Sequence, residues 1–134
     1  MGMDAHEEIE ALIRRWVDAI DRADLQGTLA DHTDDVVMFD VPPPHAGNRG
    51  MAEYEAAWPE FMQWQAGGAL FELTELDVTA GGDVAYAFAL LRCGPPEWYE
   101  AEPEKRLRLT LGLRREGGRW RIAHEHHSWA ITSP

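Results

Sequence analysis

The sequence is poor in cysteine, in basic residues and in long apolar runs, and each shortage removes a class of protein. A single cysteine, Cys93, excludes an intrachain disulfide and any zinc site built from cysteines. Lys and Arg number 12 against 24 Asp and Glu, a formal net charge of −12. Nucleic acid and anionic membrane surfaces are therefore not expected partners. No apolar stretch approaches the roughly 18 residues of a membrane span. No basic-plus-apolar leader opens the chain, so the cytoplasm is the expected location. A Gly-rich phosphate loop, a Gly-x-Ser-x-Gly elbow and a His-Glu-x-x-His motif are all missing.

What is present suits one folded domain spanning residues 1–134, with 45% hydrophobic residues and no repeats. Charge is unevenly spread. Residues 1–80 hold 4 basic and 17 acidic residues, whereas residues 81–134 hold 8 and 7. An acidic helical half and a locally basic sheet region are expected.

Ile9, Leu12, Ile13, Trp16, Val17 and Ile20 follow the spacing of one apolar helix face within residues 4–24. Residues 25–32 read as a short second helix. Residues 36–39 read as a short strand, stopped by the three prolines at 42–44. Helical spacing returns over residues 50–65, with Pro59 kinking that helix or starting a second segment. From residue 69 onward the pattern is that of strands, at 69–79, 84–92, 107–113 and 119–130. A Pro- and Glu-rich loop at 94–104 interrupts them. The alternation of Leu107, Leu109, Leu111 and Leu113 marks a strand with one buried face. Helices first and strands later argue α+β, with the helices packed on a curved antiparallel sheet and a pocket between them.

Three stretches carry a family resemblance. Residues 33–40, Thr-Asp-Asp-Val-Val-Met-Phe-Asp, resemble a strand of the ketosteroid isomerases. The Pro-rich segment ending at Gly50 resembles the loop leading into their third helix. Residues 120–128, Trp-Arg-Ile-Ala-His-Glu-His-His-Ser, resemble the final strand of SnoaL-like proteins and of the association domain of calcium/calmodulin-dependent kinases. All belong to the NTF2-like superfamily. The resemblance implies a cone-shaped α+β barrel with an internal pocket, a homodimer formed through the outer sheet face, and no cofactor.

The candidate site residues follow from both lines. Asp40 matches the general base of the ketosteroid isomerases, the chemistry for which a carboxylate beside an oxyanion hole is the known pattern. Trp16 falls where their oxyanion tyrosine would be. Their second acid has no counterpart, since Arg108, Leu109 and Thr110 occupy that strand. Alternation groups His124 and His126 with Trp120 and Ile122, which aims them at the core as proton acid or relay. The kinase association domain instead places the residue matching His127 in the pocket, with Glu125 on the same face. A bulge in this strand would reconcile the two. Histidines at i and i+2, with Asp40 or His45, leave a metal site as a third option, but no metal is assigned.

Arg108 or Arg92 would bind a carboxylate or enolate oxygen at the pocket wall. Tyr54, Trp58, Phe61, Met62 and Phe88 are expected to line an apolar cavity with Thr110. His45 edges its mouth and Trp98 folds over its entrance. Together these predict a pocket for a small carbonyl-bearing ligand and proton-transfer chemistry: isomerisation, cyclisation or dehydration. A non-catalytic binding or association module is the alternative.

Overall fold

A computed structural model describes residues 2–131 of the chain. It begins with α1 (Ala5–Asp21) and α2 (Leu25–Leu29). Asp4 caps α1 by accepting the Glu7 N–H at 2.8 Å, and Glu7 and Glu8 sit where the helix dipole favours acids. The apolar face read from the sequence is the buried face: Ile9, Leu12, Ile13, Trp16, Val17 and Ile20 all lie in the core. Asp24 caps α2 through the Gly27 N–H at 3.0 Å. That helix ends before His32, which instead opens a strand.

Next come β1 (His32–Phe39), β2 (Asn48–Arg49), α3 (Met51–Ala56) and α4 (Pro59–Ala66). Pro59 starts a separate helix, because a missing N–H costs nothing at the first helical position. The chain continues with β3 (Leu70–Ala80), β4 (Val84–Gly94), α5 (Pro96–Ala101), β5 (Leu107–Glu116) and β6 (Arg119–Trp129). Two elements were not expected: the two-residue strand β2, and the helix α5 inside the Pro- and Glu-rich segment.

The six strands form one curved, unclosed sheet in the order β2-β1-β6-β5-β4-β3. All neighbours are antiparallel except β1 and β6, which run parallel. The helices fill the concave side, and α1 lies across β3. Its inner face is built from Ala85, Ala87, Ala89 and Leu91 of β4 and the four leucines of β5. The fold is thus α+β, a cone-shaped sheet wrapped around N-terminal helices.

One irregularity decides what the open end of the cone presents. Along β5 and β6, Leu113 pairs with Ile122, but the next partners are Gly112 and His124. Ala123 is the extra residue of a β-bulge. Side chains alternate with period two, so one inserted residue reverses the facing of everything beyond it. Trp120 and Ile122 point inward before the bulge, and Glu125 and His127 point inward after it.

Candidate functional site

The buried centre is Glu125, completely removed from solvent. Its Oε2 accepts from the Tyr54 hydroxyl at 2.5 Å and lies 2.6 Å from Nε2 of His32, while Oε1 lies 2.9 Å from Nε2 of His127. Nδ1 of His32 is 2.8 Å from the Ala30 carbonyl, which can only accept, so the proton of that nitrogen points there. The Tyr54 hydroxyl, which donates to Glu125, also lies 2.9 Å from His32 Nε2. Three elements therefore converge on one carboxylate: the start of β1, α3, and β6 beyond its bulge.

The electrostatics follow from this convergence. Burial alone would neutralise Glu125, but hydrogen bonds from His127 and His32 outweigh it and hold its carboxyl well below the usual range. Burial would likewise discharge the His127 imidazole. The Glu125 hydrogen bond and the charges of Glu125 and Asp40 overcome that and raise its pKa above the ordinary histidine value. For Tyr54, burial and then the Glu125 charge push the phenol upward, so it stays protonated.

His127 joins this network to a cavity of about 210 Å³. Trp58, Phe71, Cys93, Leu107 and His127 form its buried walls, and Phe61 and Trp129 flank them. Val41, Pro42, Trp64 and Trp98 stand at the exposed rim. Asp40, just past the end of β1, lines the same cavity, with Oδ1 accepting the Val41 N–H at 2.7 Å. Among the described residues Nδ1 of His127 has no hydrogen-bond partner. Its lining is apolar side chains apart from an ionisable carboxylate and an imidazole, Asp40 and His127, and the Asp40 charge acts on that imidazole. Burial and the Asp40 charge raise the Cys93 thiol to about 12, so it remains a protonated wall rather than a nucleophile.

Of the residues expected from the sequence, Asp40, Trp58, Phe61 and His127 line the cavity, and Trp98 stands at its rim on α5 instead of a loop. Tyr54, Glu125 and Trp16 lie behind His127, with the Trp16 ring 6.3 Å from it. Met62 is ordinary core. The expected facing of His124 and His126 is corrected, because the Ala123 bulge turns both onto the outer face beside Phe39. There His124 Nδ1 bonds the Val37 carbonyl at 2.7 Å.

Arg108 and Thr110 are also outside, since the leucines of β5 claim the inner face. Arg108 donates to Ser128 Oγ and the Trp129 carbonyl, both at 3.2 Å. Arg92 pairs with Glu72 at 3.0 Å on the outer face, and Phe88 is 43% exposed there because β4 turns its alanines inward. His45 is exposed in an outer groove with His126 and the prolines. Sequence reasoning missed His32, Phe71, Trp64, Cys93 and Trp129. For His32 the only signal was a histidine just ahead of the Asp-Asp strand, at a position read as helical. Among the described residues no group of three or more His, Cys, Asp and Glu is arranged to hold a metal ion.

The SnoaL-like domain family matches residues 9–132. The chain belongs to that family. An NTF2-like protein of unknown function from Pseudomonas putida is 40% identical, over 96% of this chain and 88% of that one, with a TM-score of 0.83. At the level of fold alone, a protein with a cystatin-like fold from Caulobacter vibrioides superposes with a TM-score of 0.78. Its identity is 19%, covering 97% of this SnoaL-like chain and 92% of its own. A ketosteroid isomerase-like protein from Erwinia carotovora gives a TM-score of 0.70 at 18% identity, covering 99% and 100%. No curated protein matches the sequence. No helix of the SnoaL-like chain is long and apolar enough to cross a membrane.

Proposed function

We propose that the protein binds a small, largely apolar carbonyl compound in the cavity and moves a proton on it without a cofactor. The observation that carries this reading is that Asp40 and a Glu125-held His127 line the same largely apolar cavity. Asp40 removes a proton from the carbon next to the carbonyl, and the C–H electron pair passes into a new C=C bond. His127, kept cationic by Glu125, donates to the oxygen on which negative charge develops. Asp40 returns the proton to the same carbon or to a conjugated one, so atoms and charge balance. This assigns His127 the part first given to His124 or His126, and the oxyanion role leaves Arg108.

Exchange of α-hydrogens of small ketones in D2O, 1-tetralone among them and followed by proton NMR, tests the proposal. Exchange well above the buffer rate is expected. Ligand-induced thermal stabilisation without any exchange would instead establish a non-catalytic binding module.

The proposal includes a homodimer. Val84, Tyr86 and Phe88 form an apolar strip on the outer face of β4, at 66, 52 and 43% exposure, and a second copy would cover it. Sedimentation equilibrium should give twice the 15.1 kDa chain mass, falling to the single mass for Phe88→Glu. A monomeric wild type removes this part.

A further inference from the structure

The dimensions of the cavity and the way its roof is held narrow the class of ligand, resting on the proposed use of this cavity as the functional site. Its volume is about 210 Å³. A cavity of about 150 Å³ accepts benzene, and pockets for drug-sized ligands run from about 300 to 1,000 Å³. One ring or two fused rings fit between those limits, whereas a four-ring skeleton of about twenty carbons does not.

The walls do not give way easily. Trp58 and Phe71 are 4 and 2% exposed. Phe61 locks them edge-on, with ring centroids 5.5 Å from Trp58 and 6.2 Å from Phe71. Any adjustment therefore falls to the roof, where Trp98 is carried on α5.

No residue of α5 is buried, so this helix is not held by a core of its own. Contacts of single side chains pin it instead, one of them the Trp64 ring, 6.1 Å from that of Trp98. The Trp98 ring lies against the backbone at Gly94, where φ is +137° and any Cβ would overlap the ring. The Tyr99 hydroxyl accepts the Cys93 N–H at 2.7 Å and donates to the Cys93 carbonyl at 3.1 Å. Finally, the Lys105 ammonium stands 5.4 Å from the Trp98 ring centre and 4.6 Å from that of Trp129. Lys105 does not line the cavity and makes no ion pair among the described residues. Its charge clamps the two rim tryptophans together.

We infer that the ligand is a flat ketone of one ring or two fused rings, its oxygen toward Asp40 and His127. The Trp98–Lys105–Trp129 clamp sets this size limit. Titration of the intrinsic tryptophan fluorescence with 1-tetralone and with the four-ring ketone androst-4-ene-3,17-dione tests it. The wild type should bind 1-tetralone at least about tenfold more tightly than the steroid. Trp98→Ala should shift that ratio about tenfold toward the steroid. Lys105→Met, which keeps every ring and removes the clamp, should shift it in the same direction by less, and it serves as the test if Trp98→Ala does not fold.

Equal or tighter steroid binding by the wild type overturns the inference. So does binding of neither ketone, or a ratio that both variants leave unchanged. The two readings fail separately. Bound 1-tetralone with no α-hydrogen exchange ends the proton-transfer proposal and leaves the size limit standing. Steroid that exchanges its α-hydrogens in the wild type does the reverse.

Discussion

Asp40→Asn is expected to slow the catalysed α-hydrogen exchange of 1-tetralone by about 10²–10⁴-fold, the usual contribution of a positioned general base. Asn preserves the shape and the acceptor used by the Val41 N–H, so the loss should appear in turnover and not in the fluorescence-measured binding. His127→Gln should cost about 10²–10³-fold, as loss of one donor to a developing oxyanion does. The pH profile adds a direction. Because His127 is raised above the ordinary histidine value, exchange should persist to higher pH than an ordinary imidazole would allow and fall as that raised pKa is crossed. Unchanged exchange in Asp40→Asn would remove the residue from the mechanism.

Glu125→Ala is expected to destabilise the fold by about 3–5 kcal/mol, the range for removing one partner of a buried ionic pair. The substitution leaves the inner nitrogen of His127 without an acceptor, and the Tyr54 hydroxyl and His32 Nε2 with only each other at 2.9 Å, all in a buried place. Tyr54→Phe removes one donor and keeps the carboxylate served by two histidines. Its cost should be nearer about 1.5–3 kcal/mol. Urea unfolding measures both, and an alanine variant within 1 kcal/mol of wild type by that measure, roughly the effect of an average substitution, would contradict the network.

The same groups set the pH dependence of stability. Glu125 is depressed in the folded state, so its contribution is present above the ordinary value of 4.5 and drains away as pH falls toward about 2. His127 is raised, so its contribution is complete below 6.5 and is lost as pH rises through the folded value. Thermal midpoints should therefore peak between about pH 4.5 and 6.5, and Glu125→Ala should flatten both flanks. Midpoints that climb steadily above pH 7 would show that His127 carries no such proton.

Fold class was legible because it rests on local regularities. The apolar stripe of α1 and the leucine alternation of β5 each record which face is buried, whatever the partner. Asp40 was singled out by resemblance, from its match to a strand of the ketosteroid isomerases, and it does line the cavity. The choice among His124, His126 and His127 was not legible. It depends on Ala123 being unpaired opposite Gly112 and Leu113, a pairing between strands that no property of residues 120–128 announces. Phe88 was misplaced for a related reason: β4 is apolar on both faces and carries no internal sign of which face meets the helices. The leucine alternation of β5 already put Arg108 on the polar face, and the error lay in giving that face to the pocket.

By itself, then, the sequence determined an acidic α+β domain of the SnoaL-like kind, with its candidate site residues near the end of β1 and in the last strand. Only the tertiary structure decided that Glu125 and His127 face inward and that His32 and Tyr54 complete their surroundings. It also decided that α5 stands at the rim of the cavity that Asp40 and His127 line. Burial periodicity is a short-range property, written into every few residues. A bulge and a shared carboxylate are agreements between segments up to 93 residues apart, settled only when the chain closes.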